Sequence, residues 1–306
     1  MQCASTIFLI RPASFIYNNE TAGSNAFQNK TGLTDVDANR KAAEEFQAFA
    51  DKLKSKGVNV LVFDDTAHPQ KPDAVFPNNW VSLHADGTVV LYPLFAPNRR
   101  LERRHDIVEA LKKKFKVSRV IDLSKHEKET KFLEGTGSIV FDHVNKIAYA
   151  CLSPRTHKEL FIQLCEQLSY QPIYFYAHDP SGKEIYHTNV MMCVAEKFVV
   201  ICLDSIADKV ERKMMVRSFA QTEHEVIDIS FGQMNRFTGN MLALQTNDNK
   251  NILALSQSSF DSLSGTQKQQ IEKYCELVPL SIPTIETIGG GSARCMIAEV
   301  FLTSVF

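Results

Sequence analysis

The 306-residue chain has no long hydrophobic run, no paired-cysteine motif and almost no net charge. No apolar stretch approaches the roughly 20 residues that span a bilayer, so no membrane segment is expected. A net charge of −1 leaves no electrostatic footprint for nucleic acid or an acidic membrane surface. The seven cysteines are odd in number and scattered, without CxxC or Cys/His ligand spacing, so a zinc site is not expected. The opening MQCASTIFLIRP lacks a basic leader and meets Pro12 early, unlike a signal peptide. A reducing cytosol is the expected compartment. No low-complexity linker divides the chain, and a single domain over residues 1–306 is expected. Oligomeric state has no signal.

What is present is a repeat. One short apolar strand recurs at 7–12, 89–94, 147–153, 198–205 and 252–259. Helical patterns follow four of these at 102–115, 156–168, 205–220 and 259–276. After the first comes a longer connection, 13–36, and then a helix near 37–56. Each helix leads to another apolar run: 58–63, 117–123, 170–176, 224–230 and 275–282. A loop then enters a further strand at 74–83, 136–142, 188–195, 237–244 and 294–303. Four of those pair as hairpins with the recurring strand, across turns such as 85–87, 143–145 and 247–250. The fifth, at the C-terminus, finds its partner in the N-terminal strand. A closed ring of five mixed strand–helix units is expected, and it leaves no free sheet edge.

In such a ring the five loops entering the post-helix strands face one axis. They carry FPNNW (76–80), FLEGTGS (132–138), IYHTN (185–189), FTGN (237–240) and GGGSARC (289–295). Asn78, Asn79, Glu134, His187, Asn189, Asn240 and Cys295 are therefore expected to converge. Cys295 supplies a nucleophile, His187 a proton shuttle and Glu134 an anchor for the imidazole. Arg294 stands beside the thiol, and a thiolate needs positive neighbours. Three glycines allow close backbone approach. Each residue also has a bland reading: Cys295 as a small buried hydrophobe, His187 as a hydrogen-bonded core histidine, FPNNW as a plain turn. A phosphate cradle at EGTGS would need a helix start, and the strand-like SIVFD follows instead. The other histidines, from His68 to His224, are assigned no role.

Taken together and in order, PDAVFPNNW, APNRR, FLEGTGS, LSPRT, YHTN and GGGSARCM resemble the pentein superfamily of guanidine-modifying enzymes. That group includes arginine deiminases, dimethylarginine dimethylaminohydrolases, arginine dihydrolases and amidinotransferases. Within it the chain resembles the citrulline-utilisation hydrolases or amidinotransferase-like proteins. The resemblance spans nearly the whole chain. It implies a pseudo-symmetric five-bladed α/β propeller built from ββαβ-type units. It implies a covalent thiouronium-like intermediate on Cys295, with His187 protonating the departing nitrogen and activating water, and Glu134 supporting His187. Arg155 and Arg99 are the expected carboxylate-side arginines, since a bidentate fork matches a carboxylate. No cofactor is implied; the partner is a small amino-acid substrate.

The departures concern charge. Arginine deiminases and amidinotransferases carry aspartates where this chain has Asn79 and Asn189. A carboxylate 4 Å from a guanidinium is worth about 4 kcal/mol at an effective dielectric near 20, and two neutral amides forgo it. An amide donates as well as accepts, so it suits a ureido C=O. The expected activity is hydrolysis of a guanidino or ureido carbon in arginine- or citrulline-like amino acids. Alternatives are an amidinotransferase, a deiminase-type hydrolase of arginine or dimethylarginine, and a non-catalytic binding module.

Overall fold

A computed structural model describes residues 1–305, in a mixed α/β arrangement of small sheets and helices. Among the described residues the strands form five three-stranded sheets, numbered I–V here in chain order. Each has the same plan: a central strand with an antiparallel neighbour on one side and a parallel one on the other. In sheet II the central Thr88–Leu91 lies between Val81–Leu83 and Arg119–Asp122. Sheet III places Ile147–Cys151 between Val140–Asp142 and Gln171–Phe175. Sheet IV places Phe198–Ile201 between Met192–Val194 and Glu225–Asp228. Sheet V places Asn251–Ser256 between Leu242–Gln245 and Glu276–Leu280.

Sheet I joins the ends of the chain. Thr6–Arg11 runs parallel to Asn59–Asp64 and antiparallel to Ala298–Glu299, with Ile7 opposite Glu299 and Phe8 opposite Ala298. This is the expected partnership of the N-terminal strand with the C-terminal segment.

A parallel pair needs a crossover, and a helix supplies each one. In sheet I it is Asp35–Ser55. Thr34 caps it by accepting from the Asp37 N–H, Asp35 and Asp37 sit at its positive end, and Lys52 and Lys54 at its negative end. Its buried face is Ala38, Ala42, Phe46, Phe49, Ala50 and Leu53, at helical spacing. Gly57, at φ 83°, ends the turn that follows.

Each recurring strand ends earlier than the sequence pattern indicates, at Arg11, Leu91, Cys151, Ile201 and Ser256. The one starting at Phe198 stops at Ile201, because its antiparallel partner begins only at Met192 after a helical turn, Thr188–Met191. The one ending at Ser256 gives way to the helix Gln257–Ser262, which Ser256 caps through the Ser259 N–H.

Neighbouring sheets meet in chain order, and the last meets the first. Leu83 of sheet II bridges Val300 beside sheet I, and Ala4 bridges Leu244 of sheet V. Val90 and Tyr92 share a buried cluster with Ala148 and Ala150, tying II to III. Met192–Val194 of sheet IV lies against both Val140–Asp142 and Leu242–Gln245. Gln2 Nε2 donates to Phe141 O (3.0 Å) and Val194 O (3.1 Å), so the N-terminus also pins III to IV. No helix among the described residues is long and apolar enough to cross a membrane.

Candidate active site

The turns that precede the antiparallel strands carry the polar residues. Pro77–Asn79 is a single 3-10 turn before sheet II, Gly135–Ser138 a helical turn before sheet III, and Thr188–Met191 one before sheet IV. Gly137 lets these turns touch: a Cβ there would lie 2.4 Å from Asn79 Nδ2 and 2.8 Å from the His187 ring. Glycine also recurs at 289–291 for contact. Side chains at Gly289 and Gly291 would strike the Phe76 ring at 2.8 and 2.9 Å, and Gly290 adopts φ 64°.

A small cavity lies where these turns meet. Asp73, Asn79, Arg99, Arg155, Tyr186, His187 and Cys295 line it, with Gly289–Gly291 on one wall. Thr21 and Asn25 close it from the long loop after the first strand. That loop is anchored: Asn25 Nδ2 donates to Gly290 O (3.2 Å), Asn29 N to Thr287 O (2.7 Å), and Asn18 Nδ2 to Asp73 Oδ2 (2.7 Å).

His187 and Glu134 are fully buried partners, Nε2 to Oε2 at 2.7 Å. Glu134 Oε1 accepts the Phe95 N–H at 2.9 Å, and Arg155 Nη1 stands 3.4 Å from Oε2. Burial alone would raise the Glu134 pKa, but the Arg155 charge and the His187 hydrogen bond hold it far below the usual carboxylate range. Burial lowers His187 to about 4, only partly offset by the hydrogen bond to Glu134. The pair is therefore a carboxylate accepting from a neutral imidazole at pH 7. Nε2 carries the proton, and Nδ1 is the free basic nitrogen of a ring that lines the cavity.

Cys295 is 4 % exposed and sits in a cradle of amides. Asn240 Nδ2 lies 3.3 Å from Sγ and Asn189 Nδ2 3.5 Å from it. Arg294 does not serve as the expected positive neighbour. Its guanidinium turns away, donating to Ile297 O (3.0 Å) and Glu299 (2.8 Å), because the chain is already entering the strand that pairs with sheet I.

Arg99 also departs from expectation. Its fork is already filled: Nε and Nη2 bind the Glu102 carboxylate at 2.9 and 2.8 Å, both groups buried. Its remaining Nη1 donates to Asn79 Oδ1 at 2.8 Å. Arg99 thus orients Asn79 rather than offering a bidentate face to a carboxylate. Arg155 is partly engaged as well, with Nη2 on Ser24 Oγ (2.5 Å) and the guanidinium over the Tyr186 ring (4.8 Å). Its Nε has no partner among the described residues. Asn78 does not line the cavity; its backbone carbonyl packs against Gly135, and its buried side-chain amide is unpaired.

Asp73 is the residue that sequence reasoning missed. It lines the cavity with Oδ1 unpaired and Oδ2 taken by Asn18, and burial raises its pKa. Its position in PDAVFPNNW, six residues before Asn79, was the available signal. Thr21, Asn25 and Tyr186 were missed too; nothing local marks them.

The family model described as N,N dimethylarginine dimethylhydrolase, eukaryotic, matches residues 11–302. No curated protein matches. Among solved structures, the substrate-bound N-terminal domain of ArgZ, a cyanobacterial arginine dihydrolase, superposes with TM-score 0.74 at 16% identity, covering 97% of this chain and 99% of that one. Unliganded AgrE gives TM-score 0.75 at 17% identity, covering 96% of this chain and 39% of that one. A dimethylarginine dimethylaminohydrolase variant carrying an S-methyl-L-thiocitrulline adduct gives 0.66 at 14%, covering 97% and 99%. At these identities the likeness is one of fold.

Proposed function

The chain belongs to the N,N-dimethylarginine dimethylhydrolase family, and from that premise we propose that it hydrolyses a C–N bond of a ureido amino acid such as citrulline through a covalent Cys295 intermediate. The same reading takes residues 1–306 as one catalytic domain, with the five sheets as blades of an α/β propeller around the cavity. The contact of sheet V with sheet I supports that arrangement.

One observation carries the choice of a ureido group. Arg99 Nη1 donates to Asn79 Oδ1, which fixes the amide and leaves Nδ2 as the group turned from Arg99, without a partner among the described residues. A cavity wall that presents an unpaired donor beside His187 wants an acceptor on the substrate. A ureido oxygen is one; a guanidinium offers only donors. Asp73 Oδ1 is the matching acceptor for a substrate N–H.

In the proposed sequence the Cys295 thiol gives its proton to His187 Nδ1. The thiolate attacks the ureido carbon, forming C–S while the C=O pair moves to oxygen beside Asn79. Collapse expels the departing nitrogen, which takes the proton from His187. Water then gives a proton to the neutral imidazole and its hydroxyl to the carbon, and the C–S bond breaks to restore the thiolate. Glu134, kept ionised, stabilises the imidazolium at each turn. Arg155 is the candidate for the substrate carboxylate once the loop contact through Ser24 is released. The loop at 13–34 is read as a lid, since it forms a wall of the cavity and ties to Arg155, Asp73 and Gly290.

The test is ammonia and amino-acid release from arginine, citrulline and dimethylarginine side by side, with Cys295→Ala as blank. Ornithine from citrulline supports the reading. Arginine turnover that stops at citrulline, with citrulline inert, overturns it.

A further inference from the structure

All seven cysteines are buried. Burial pushes the thiols of Cys3, Cys151, Cys165, Cys193 and Cys275 up to about 12, and Cys202 to about 11. None of those six has a side-chain amide donating to its sulfur. Cys295 has two.

The Asn240 amide is locked in orientation by the backbone. Its Oδ1 accepts the Arg294 N–H (3.1 Å) and stands 3.6 Å from Sγ, within reach of the thiol proton, while its Nδ2 donates to Asn189 O (2.9 Å) and faces Sγ at 3.3 Å with its second N–H. Asn189 presents Nδ2 to the same sulfur at 3.5 Å from the helical turn that follows His187. The charged and titratable side chains sharing the Cys295 cavity are Asp73, Arg99, Arg155, Tyr186 and His187. Glu134 lies behind His187, and Asn189 also lines a separate small cavity with His143, Cys193, Arg294 and Glu299. The arginines in this set are engaged by carboxylates: Arg99 by Glu102, Arg155 by Glu134, Arg294 by Glu299. Among the described residues no cationic side chain hydrogen-bonds the Cys295 sulfur; its side-chain partners are the two amides.

We propose that Asn189 and Asn240 are positioning residues that stabilise the Cys295 thiolate as it forms, by donating two side-chain N–H bonds to its sulfur, so that its formation does not depend on a cationic substrate. This rests on the ureide reading above and explains how it works. A guanidinium substrate brings its own positive charge to the sulfur. A neutral ureide brings none, and the protein must supply the stabilisation itself. In the step concerned, S–H breaks, its proton goes to His187 Nδ1, and the electron pair stays on sulfur under the two donors. An aspartate at either position would replace a donor with a negative charge against the thiolate.

The experiment is iodoacetamide alkylation of Cys295 in the intact free enzyme, followed by mass spectrometry from pH 5 to 9. Wild type is compared with Asn189→Ala, Asn189→Asp and Asn240→Asp. Wild type should alkylate fastest at neutral pH. The alanine variant should be several-fold slower, and both aspartate variants more than tenfold slower, with the half-maximal pH moved upward. A merely structural role would loosen the site, which would speed alkylation or leave the pH profile in place. Unchanged or faster alkylation in the variants therefore overturns the proposal. Thermal melting identifies any variant that has unfolded, and the remaining ones decide. Citrulline turnover by wild type is scored separately. Turnover with an unmoved alkylation profile sinks the thiolate cradle alone, and a moved profile without turnover sinks the ureide reading alone.

Discussion

Asn79 and Cys295 depend on neighbours that fix a hydrogen-bonding direction, and substitutions there have signed outcomes. Asn79→Asp replaces the unpaired Nδ2 donor with an acceptor and adds a third carboxylate to Glu102 and Asp73 at Arg99. The citrulline/arginine ratio of kcat/KM should fall by about 10- to 100-fold, the scale of one or two lost polar contacts. An unchanged ratio in side-by-side kinetics would remove Asn79 from specificity. For His187, burial lowers the pKa from 6.5 to about 4. The imidazole is then neutral, and competent as a base, down to well below pH 6. The acid limb of kcat/KM should lie nearer 4 than 6.5. A limb centred at 6.5 would mean that His187 is solvated in the free enzyme.

Turns, not strands, set the site, and their tolerance is low where they touch. Alanine for glycine inside a helix ordinarily stabilises by about 1 kcal/mol. At Gly137 the added Cβ meets Asn79 and His187, so Gly137→Ala should cut kcat by more than about tenfold without a gain in melting temperature. Glu286, beside the glycine turn, accepts from Ser292 Oγ at 2.6 Å, and burial raises its pKa to about 7. A carboxyl with a raised folded pKa contributes stability that is full below about 4.5 and is lost as pH rises toward 7. Glu286→Gln should therefore gain on wild type as pH rises from 5 to 8. Melting curves across that range check it, and a constant gap would place Glu286 in contact with water.

The molecule as a whole is closed by its last strand. Val300 and Leu302 are buried with Trp80 and Leu83, and Ala298–Glu299 covers the edge of Thr6–Arg11. Removing residues 297–306 leaves Cys295 in the chain but strips that edge and those side chains. At about 2 kcal/mol per buried aliphatic residue, a drop in melting temperature of about 10 °C is expected, with loss of turnover. A truncated protein that melts like the full chain would show the closure to be dispensable.

Periodicity and turn chemistry in the sequence determined the five units, the pairing of the chain's two ends, and the nearness of Cys295, His187, Glu134 and Asn79. Strand alternation and loop position repeat every unit, so they are written locally. Direction is not. Arg294 follows Ala293 whatever the fold, but only the pairing with Glu299 turns it from the thiol. Arg99 reads as a free fork until Glu102, three residues on, fills it. Asp73, Thr21 and Asn25 reach the cavity because distant turns pack, and no periodic pattern records that. The sequence specified which chemical groups are available; the packing of one turn against another decided which of their hydrogen bonds are already satisfied and which are left for a substrate.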